Sequence, residues 1–511
     1  MNLFQLKKIV ATFFESKNFS VTRFLLFFYS LFVMVSSSFS QAGTWVRVYG
    51  GNQYDRGSGI AQTYDKGYII SGTTSSYGFG NTDFYLLKVD SAGKYLWQRT
   101  YGGTGNDIAF SVQQTLDSGF VLCGYTNSFG AGGYDAYLVK TDPAGNLQWE
   151  KTFGGSDWDF AYWAEQTKDG GYILAGETYS FGKNNQAYVV KTDSAGNLKW
   201  QNNFGDTLDE AAKEVHQTSD GGFVFAGYTG SYGTGDDFYL LKTDSSGSQK
   251  WMKHFDNSTD DKCNSFAICT DGSFALGGYT MAGIQKKNYF VQTDSSGNFI
   301  TSKIDTPSIG NKEIYRIRVN KEGNYYTVGW TDAITASSKE IFFATWNNGF
   351  WYLSGGSAPG GFADEEGYGI VQAPDSGYVM VGYTSTFGTG PDNVLLVKTD
   401  KTLHYNSTIN SYVSTTDLAI ENNGMTIYPN PFRDQLNIQL DEQKFAGIKK
   451  IKITLSDIEG REILNEEKQI SSSAIQTLTL NLAGAKFTPG LYILSVYSEN
   501  LNLHQKLMFA R

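Results

Sequence analysis

Short runs of alternating apolar and polar residues, separated by clusters of turn residues, occupy most of this chain. The clearest unit runs from Asp107 to Phe153, where the segments DIAFSVQQT, FVLCGYT, AYLVKTD and LQWEKTF follow one another. Asp117, Ser118 and Gly119 link the first two segments, and residues of these types tolerate the positive φ of a tight hairpin. Four such strands in succession predict one antiparallel four-stranded sheet.

This unit recurs with a period of about 50 residues, which is typical of propellers and solenoids. The most regular marker is a tryptophan, replaced once by threonine, at Trp45, Trp97, Trp149, Trp200, Trp251, Thr301 and Trp351. The three inner strands occur seven times between Asp55 and Asp400, whereas the outer strand has an extra copy ahead of them, at residues 44–49. We therefore predict an all-β fold, a seven-bladed β-propeller closed by its N-terminal strand, which pairs into the last blade and leaves no open sheet edge.

The sixth copy, residues 312–352, departs from the others. It keeps the second strand, Tyr325 to Thr331, but lacks the Asp-Gly turn and the Lys-Thr-Asp end of the third strand. Sequence drift in one blade and a specialised binding face are both compatible with this departure.

The composition fits a secreted β-protein. The 511 residues include 58 glycines, 35 phenylalanines and 33 tyrosines, 18% are charged, and the formal net charge is −10. An acidic chain without a basic patch is a poor candidate for binding nucleic acid or anionic membranes. The 3 cysteines are too few for a disulfide framework.

Residues 1–40 have the pattern of a signal peptide. Basic residues precede the apolar run 24–35, and a serine-rich stretch then ends at Ser40. Every later stretch is too short or too polar to span a bilayer as a helix. We therefore predict export of a mature chain that begins at Gln41 and carries no transmembrane segment.

A second domain is predicted after the repeats. Residues 41–405 contain the propeller, residues 406–424 have the Asn-, Ser- and Thr-rich composition of a linker, and residues 425–511 alternate in short strands typical of a small, Ig-like β-sandwich. Three motifs mark this last segment: YPNPF at residues 428–432, DIEGR at 457–461 and PGLYIL at 489–494. Their signature positions are Tyr428, Pro429, Asn430, Pro431, Gly460 and Gly490.

These motifs, in this order before the terminal Arg511, resemble the type A C-terminal sorting domain of type IX secretion system cargo in Bacteroidetes. The resemblance implies passage through the type IX translocon, removal of the domain by a sortase-like peptidase, and a final place outside the cell or on the outer-membrane surface. The repeats also resemble the propeller-like repeats of such secreted cargo.

Six acidic residues share one position, the start of the innermost strand. They are Asp55, Asp107, Asp159, Glu210, Asp261 and Glu365. A ring of carboxylates at one mouth of a channel suits a cation or a basic partner. Alternatively, each acid accepts backbone N–H groups in its own loop, as Asp does in turns, and we favour this structural role.

Residues that break the repeat are better candidates for a binding site. Trp158 lies in an inter-blade loop, and Trp163, Glu214 and Arg316 share an innermost-strand position that glycine or serine occupies in the other copies. If that position faces the channel, these three residues line a mixed aromatic and charged pocket. Simple filling of the central channel explains them equally well.

The sequence contains no recognisable catalytic motif. The 4 histidines lack metal-ligand spacing, and there is no Gly-x-Ser-x-Gly elbow. We therefore predict no metal, no cofactor and no enzyme activity, and a secreted or cell-surface binding or adhesion protein whose partner is an extracellular polysaccharide or protein. Two alternatives stay open, a glycan-active enzyme with its site at the channel mouth and a structural surface component without a small ligand.

Overall fold

The computed structural model describes residues 43–78, 80–233, 235–305, 310–333, 338–357, 363–405, 409–413, 425–428, 435–440, 445, 448–457, 461–470, 476–482, 487, 490–498 and 502–509. All regular elements in these ranges are β-strands, which confirms the all-β prediction. Within the same ranges, no helix has the length and apolar character needed to cross a membrane. The predicted signal peptide lies outside the described residues.

The repeat region forms seven sheets across the described residues, preceded by β1 (Trp45–Gly50). Sheet 1 contains β2 (Asp55–Gln62), β3 (Tyr68–Thr74), β4 (Asp83–Val89) and β5 (Tyr95–Tyr101). Sheet 2 contains β6 (Asp107–Gln114), β7 (Phe120–Thr126), β8 (Asp135–Thr141) and β9 (Leu147–Phe153). Sheet 3 contains β10 (Asp159–Gln166), β11 (Tyr172–Thr178), β12 (Gln186–Thr192) and β13 (Leu198–Phe204).

The next three sheets keep the same order of four strands. Sheet 4 contains β14 (Glu210–Gln217), β15 (Phe223–Thr229), β16 (Asp237–Thr243) and β17 (Gln249–Phe255). Sheet 5 contains β18 (Asp261–Ile268), β19 (Phe274–Ala282), β20 (Gln285–Thr293) and β21 (Phe299–Ile304). Sheet 6, the irregular copy, is still complete, with β22 (Lys312–Val319), β23 (Tyr325–Thr331), β24 (Glu340–Trp346) and β25 (Tyr352–Ser357).

Sheet 7 combines strands from both ends of the repeat region. It contains β26 (Glu365–Gln372), β27 (Tyr378–Thr384) and β28 (Asn393–Thr399), then β1, then β29 (Ile409–Val413). β1 pairs antiparallel with β28, with Trp45 opposite Lys398, and β29 pairs parallel with β1. β29 lies inside the segment 406–424, which the sequence predicts to be a linker. Its composition hid it because pairing with an exposed strand edge uses main-chain groups and needs no hydrophobic pattern.

The second and third strands of each sheet carry the core. Both faces of β4 and β8 are buried, because each sheet is covered by a neighbour on either side. Phe84 of sheet 1 packs edge to face on Tyr137 of sheet 2, with ring centroids 4.8 Å apart. The first and second strands of a sheet also lie close together at Gly124, where a Cβ would be only 1.8 Å from the Ile108 carbonyl oxygen. Burial of these large apolar side chains is the main stabilising contribution.

The periodic tryptophan joins the outer strand of one sheet to the next sheet. Trp97 on β5 packs on Phe120 of sheet 2, with ring centroids 5.9 Å apart, and against the turn residue Gly145. Gly145 has a φ of 77°, so this turn favours glycine for its conformation and for the space that the indole fills. The Tyr101 hydroxyl donates to the Gly145 carbonyl at 2.7 Å. The sequence period thus reflects one docking contact repeated between sheets.

The C-terminal strands form two further sheets. The first contains β30 (Met425–Tyr428), β31 (Gln435–Leu440) and β34 (Gln476–Asn481). The second has the order β33 (Glu462–Gln469), β32 (Lys450–Asp457), β35 (Gly490–Tyr497) and β36 (Asn502–Phe509). Leu436 and Ile438 of the first sheet share one buried cluster with Ile453 and Leu494 of the second.

Candidate functional site

The same two sequence positions recur at each junction between neighbouring sheets. The first position lies next to the start of the third strand of one sheet, and the second position is the second residue of the inner strand of the following sheet. Four of these seven described junctions hold an ion pair, and the pairs are Asp236–Lys262 at 3.0 Å, Lys286–Glu313 at 2.7 Å, Lys339–Glu366 at 2.5 Å and Asp392–Arg56 at 2.5 Å. The cation of each pair also covers an aromatic ring of a second strand, at 4.0 to 4.4 Å from the centroid.

The junction between sheets 2 and 3 replaces this ion pair with aromatic rings. Tyr134 and Phe160 occupy the two positions, with ring centroids 6.0 Å apart, and Tyr125 packs on both at 5.1 and 4.8 Å. Trp158 lies 5.8 Å from Tyr134 and 6.3 Å from Tyr179. We call these five residues the aromatic cluster.

The aromatic cluster is open to solvent on one side. Trp158 is 50% exposed and Tyr179 is 43% exposed. The loop is held by the Trp158 carbonyl, which accepts the Tyr179 N–H at 2.8 Å, and by the Asp157 carboxylate, which accepts the Trp158 N–H at 2.9 Å. Exposed aromatic side chains are suited to packing against apolar surfaces.

Trp163, Glu214 and Arg316 come together, apart from Trp158, in a second site. Each follows a β-bulge on the inner strand of its sheet, at β10, β14 and β22. Glu214 Oε2 lies 3.2 Å from Arg316 Nη1, and the Arg316 guanidinium lies 4.7 Å from the Trp163 ring centroid. Trp158 precedes Trp163 by five residues on the chain, which is about 15 Å along a strand.

Three further residues belong to this site. His216 contacts two carboxylates: its Nε2 lies 3.0 Å from Glu214 and its Nδ1 lies 2.8 Å from Glu165. Arg318 also contacts Glu214, with Nη2 2.7 Å from Oε1. We call Trp163, Glu165, Glu214, His216, Arg316 and Arg318 the channel cluster. The sequence prediction missed Glu165, His216 and Arg318, although each stands two residues after a predicted member and therefore on the same strand face.

The electrostatics of the channel cluster follow from its pairing. Burial by itself raises the pKa of Glu214, but Arg318, Arg316 and His216 outweigh it and hold that pKa far below its ordinary value. Burial lowers the pKa of His216, yet Glu165 and Glu214 together raise it to about 9. Near neutral pH, three cations therefore face two carboxylates. Glu214 is fully buried, so it holds the arginines in place rather than lining a pocket surface.

The six acids at the starts of the inner strands are buried inside their own loops. Asp55 accepts the Ser76 hydroxyl and the Gly51 N–H, both at 2.6 Å, and Glu365 accepts the Thr384 hydroxyl at 2.8 Å. At most 1% of any of the six is exposed: Asp55, Asp107, Asp159, Glu210, Asp261 and Glu365. These contacts fit the structural role and leave no exposed rim of carboxylates.

One additional carboxylate has unusual surroundings. Asp237 is fully buried, and neither of its carboxylate oxygens has a hydrogen-bond partner among the described residues. Burial and the negative charges of Asp256 and Asp261 raise the pKa of Asp237 to about 7, and burial raises that of Asp261 to about 6. The described residues contain no group of His, Cys, Asp and Glu side chains arranged to hold a metal ion.

The sorting signature is described only in part. Tyr428 ends β30 and Gly490 begins β35. Pro429, Asn430, Pro431 and Gly460 lie outside the described residues. The comparison with protein families bears on this segment directly.

Residues 426–510 match the family model of the secretion system C-terminal sorting domain. The match confirms the resemblance drawn from the motifs. The protein is an exported cargo with a propeller-like repeat region, secreted or displayed at the cell surface. Its export route is the type IX secretion system, to which this sorting domain belongs. No curated protein matches the chain.

Several solved structures are similar to the chain at low sequence identity. PorZ, a surface component of the type IX secretion system of Porphyromonas gingivalis, is 11% identical, with 92% of this chain and 70% of PorZ covered and a TM-score of 0.37. The polysaccharide lyase Uly1 is 11% identical, with coverage of 69% and 90% and a TM-score of 0.43. The Pan2 WD40 domain of Neurospora crassa is 10% identical, with coverage of 68% and 91% and a TM-score of 0.37. Likeness at this level says nothing about activity.

Proposed function

We propose that the seven sheets are the blades of a closed propeller, followed by a C-terminal β-sandwich. Two observations support closure: β1 pairs with β28, and the Arg56–Asp392 ion pair joins sheets 1 and 7 in the same form as the pairs at other junctions. The domain limits belong to the same proposal: signal peptide 1–40, propeller 41–405, linker 406–424 including β29, and sorting domain 425–511.

We further propose that this rigid ring binds an extracellular polysaccharide through the aromatic cluster. The observation that carries the proposal is the exposed ring faces of Trp158 and Tyr179, at the junction where Tyr134 and Phe160 replace a charged pair. Sugar rings present C–H faces that stack on such aromatic surfaces, and the absence of charged side chains from the five members favours an uncharged contact.

The test is affinity electrophoresis and pull-down of the full-length protein on soluble and insoluble polysaccharides. Trp158→Ala and Tyr179→Ala should each weaken binding about tenfold, since loss of a central aromatic contact costs about 1–2 kcal/mol. Trp351→Ala is the matched control, because Trp351 is also exposed, at 65%, but lies on the outer part of sheet 6. Equal binding by wild type and Trp158→Ala would refute the proposal, and release of soluble sugar would replace it with an enzyme.

We also propose that the sorting domain engages the type IX translocon and a sortase-like peptidase. The family match at residues 426–510 supports this. Truncation after Tyr405 should leave the protein inside the outer membrane, whereas the full chain should reach the medium or the cell surface without residues 425–511. Fractionation with an antibody against the repeat region measures both outcomes, and export of the truncated chain would contradict the proposal.

A further inference from the structure

The channel cluster has the features of a second binding site. We propose that it binds the carboxylate group of a small organic acid, with Trp163 and Arg316 as its donors. This inference does not rest on polysaccharide binding by the aromatic cluster, from which it is separated by about 15 Å along a strand.

The first argument is unused hydrogen-bonding capacity. Trp163 is 9% exposed, and its Nε1–H is buried without an acceptor among the described residues. A buried N–H left unpaired destabilises the folded state, so an external acceptor that pairs with it gains free energy. Over the same residues, the Arg316 guanidinium makes a single hydrogen bond, from Nη1 to Glu214. The Trp163 indole and the Arg316 guanidinium that covers it therefore both have N–H groups that are not hydrogen-bonded to described residues.

The second argument concerns Glu214, which cannot take up these donors. Its carboxylate already accepts from the Ser265 hydroxyl at 2.6 Å, the Phe266 N–H at 3.2 Å and both arginines. A carboxylate has about four lone-pair sites, so Glu214 is fully occupied. Glu214 therefore cannot supply an acceptor for the remaining donors of Trp163 and Arg316.

The third argument identifies the class of ligand. Three cations against two carboxylates leave a net positive charge, and the unused groups of Trp163 and Arg316 are donors, so the ligand should be anionic and accept hydrogen bonds from them. The fork of an arginine matches a planar carboxylate, and the indole face beside it excludes water. The cluster is reachable, because the side chains of Arg316, Arg318 and His216 are 12%, 22% and 20% exposed.

The experiment is calorimetric titration of the full-length protein with sodium glucuronate, and with glucose as the matched neutral sugar. Glucuronate should bind and glucose should not. Trp163→Phe removes the unpaired indole N–H together with one ring of the indole but keeps an aromatic ring at this position, and it should weaken glucuronate binding about tenfold, the value of one such hydrogen bond. The indole N–H signal that Trp163→Phe removes from the NMR spectrum should shift when glucuronate is added to wild type.

Matched controls separate this site from others. Arg99 lies 5.4 Å from the Trp97 ring on an outer strand, so Trp97→Phe tests a similar pair that has no buried unpaired N–H, and it should not change affinity. Absence of glucuronate binding, or equal affinity in Trp163→Phe, would overturn the inference, and equal affinity for sulfate would overturn the assignment to a carboxylate. Trp158→Ala should retain glucuronate binding, so failure at one site is distinguishable from failure at the other.

Discussion

Glu214 joins three sheets, and its replacement tests how the centre of the molecule is held. It stands on β14 of sheet 4 and contacts Ser265 of sheet 5 and Arg316 and Arg318 of sheet 6. In Glu214→Gln the side chain keeps its size but loses its charge, and its amide N–H₂ faces groups that are themselves donors. The two partly exposed guanidinium groups of Arg316 and Arg318 then lack their counter-ion.

The magnitude follows from the burial of these charges. Removal of one partner from a buried ion pair costs about 3–5 kcal/mol, because the other partner is left charged and uncompensated. The arginines here are partly exposed, so we expect the lower end, about 3 kcal/mol. Over the strands from Trp45 to Val413, an unfolding entropy of about 2 cal/mol/K per residue converts this into a fall in Tm of about 4 °C.

The assay is thermal and urea unfolding of wild type and Glu214→Gln, with Glu322→Gln as the control at an exposed turn. The control should stay within about 0.5 kcal/mol. A double-mutant cycle with Arg316→Gln should give a coupling energy above about 1 kcal/mol. A loss below about 1 kcal/mol in Glu214→Gln, or a coupling near zero, would show that the carboxylate does not hold the arginines.

Three further predictions concern pH dependence and packing. The pKa of Asp237 is raised to about 7, so ionisation of this carboxyl group opposes folding, and the stability of wild type should fall as pH rises from about 4 to about 7. At pH 8, Asp237→Asn should therefore melt at a higher temperature than wild type, and a lower Tm of the variant would contradict this. The pKa of His216 is raised to about 9, so wild type should be more stable than His216→Gln by its full amount below about pH 6.5, and this difference should vanish above about pH 9. A difference in Tm between the two proteins that persists at pH 10 would argue against this. Gly124→Ala places a Cβ against the Ile108 carbonyl and should cost about 3 kcal/mol in urea unfolding, whereas Gly43→Ala, with open space around it, should be neutral.

Much of the fold was predictable because the same physical requirement recurs in each copy. A turn of positive φ demands glycine at Gly145, and the indole of Trp97 packs on that turn, so both residues return in successive repeats. The all-β fold and the order of strands within each sheet follow from these markers. β29 could not be predicted, since adding a strand to the edge of β1 requires main-chain hydrogen bonds and no hydrophobic pattern.

The candidate sites were predictable only in part. Departure from the repeat marked Trp163, Glu214 and Arg316, and the structure brings these three together. The sequence carries no sign of the β-bulge that precedes each of them and turns its side chain, nor of the distances between different sheets. His216 and Arg318 were missed because a lone histidine and a lone arginine have no motif; their spacing of two residues from known members was the available signal.

The division between repeated and variable positions explains where binding can arise on this scaffold. Stability resides in the second and third strands, where Phe84 and Tyr137 pack in the interior and substitution is costly. In junction pairs such as Lys339–Glu366 the lysine is partly exposed and the carboxylate is buried. Replacement of both partners of such a pair by apolar side chains costs little stability, so one junction can hold Tyr134 and Phe160 without loss of the fold. New recognition chemistry therefore accumulates at the junctions and along the inner strands, which is where the aromatic cluster and the channel cluster lie.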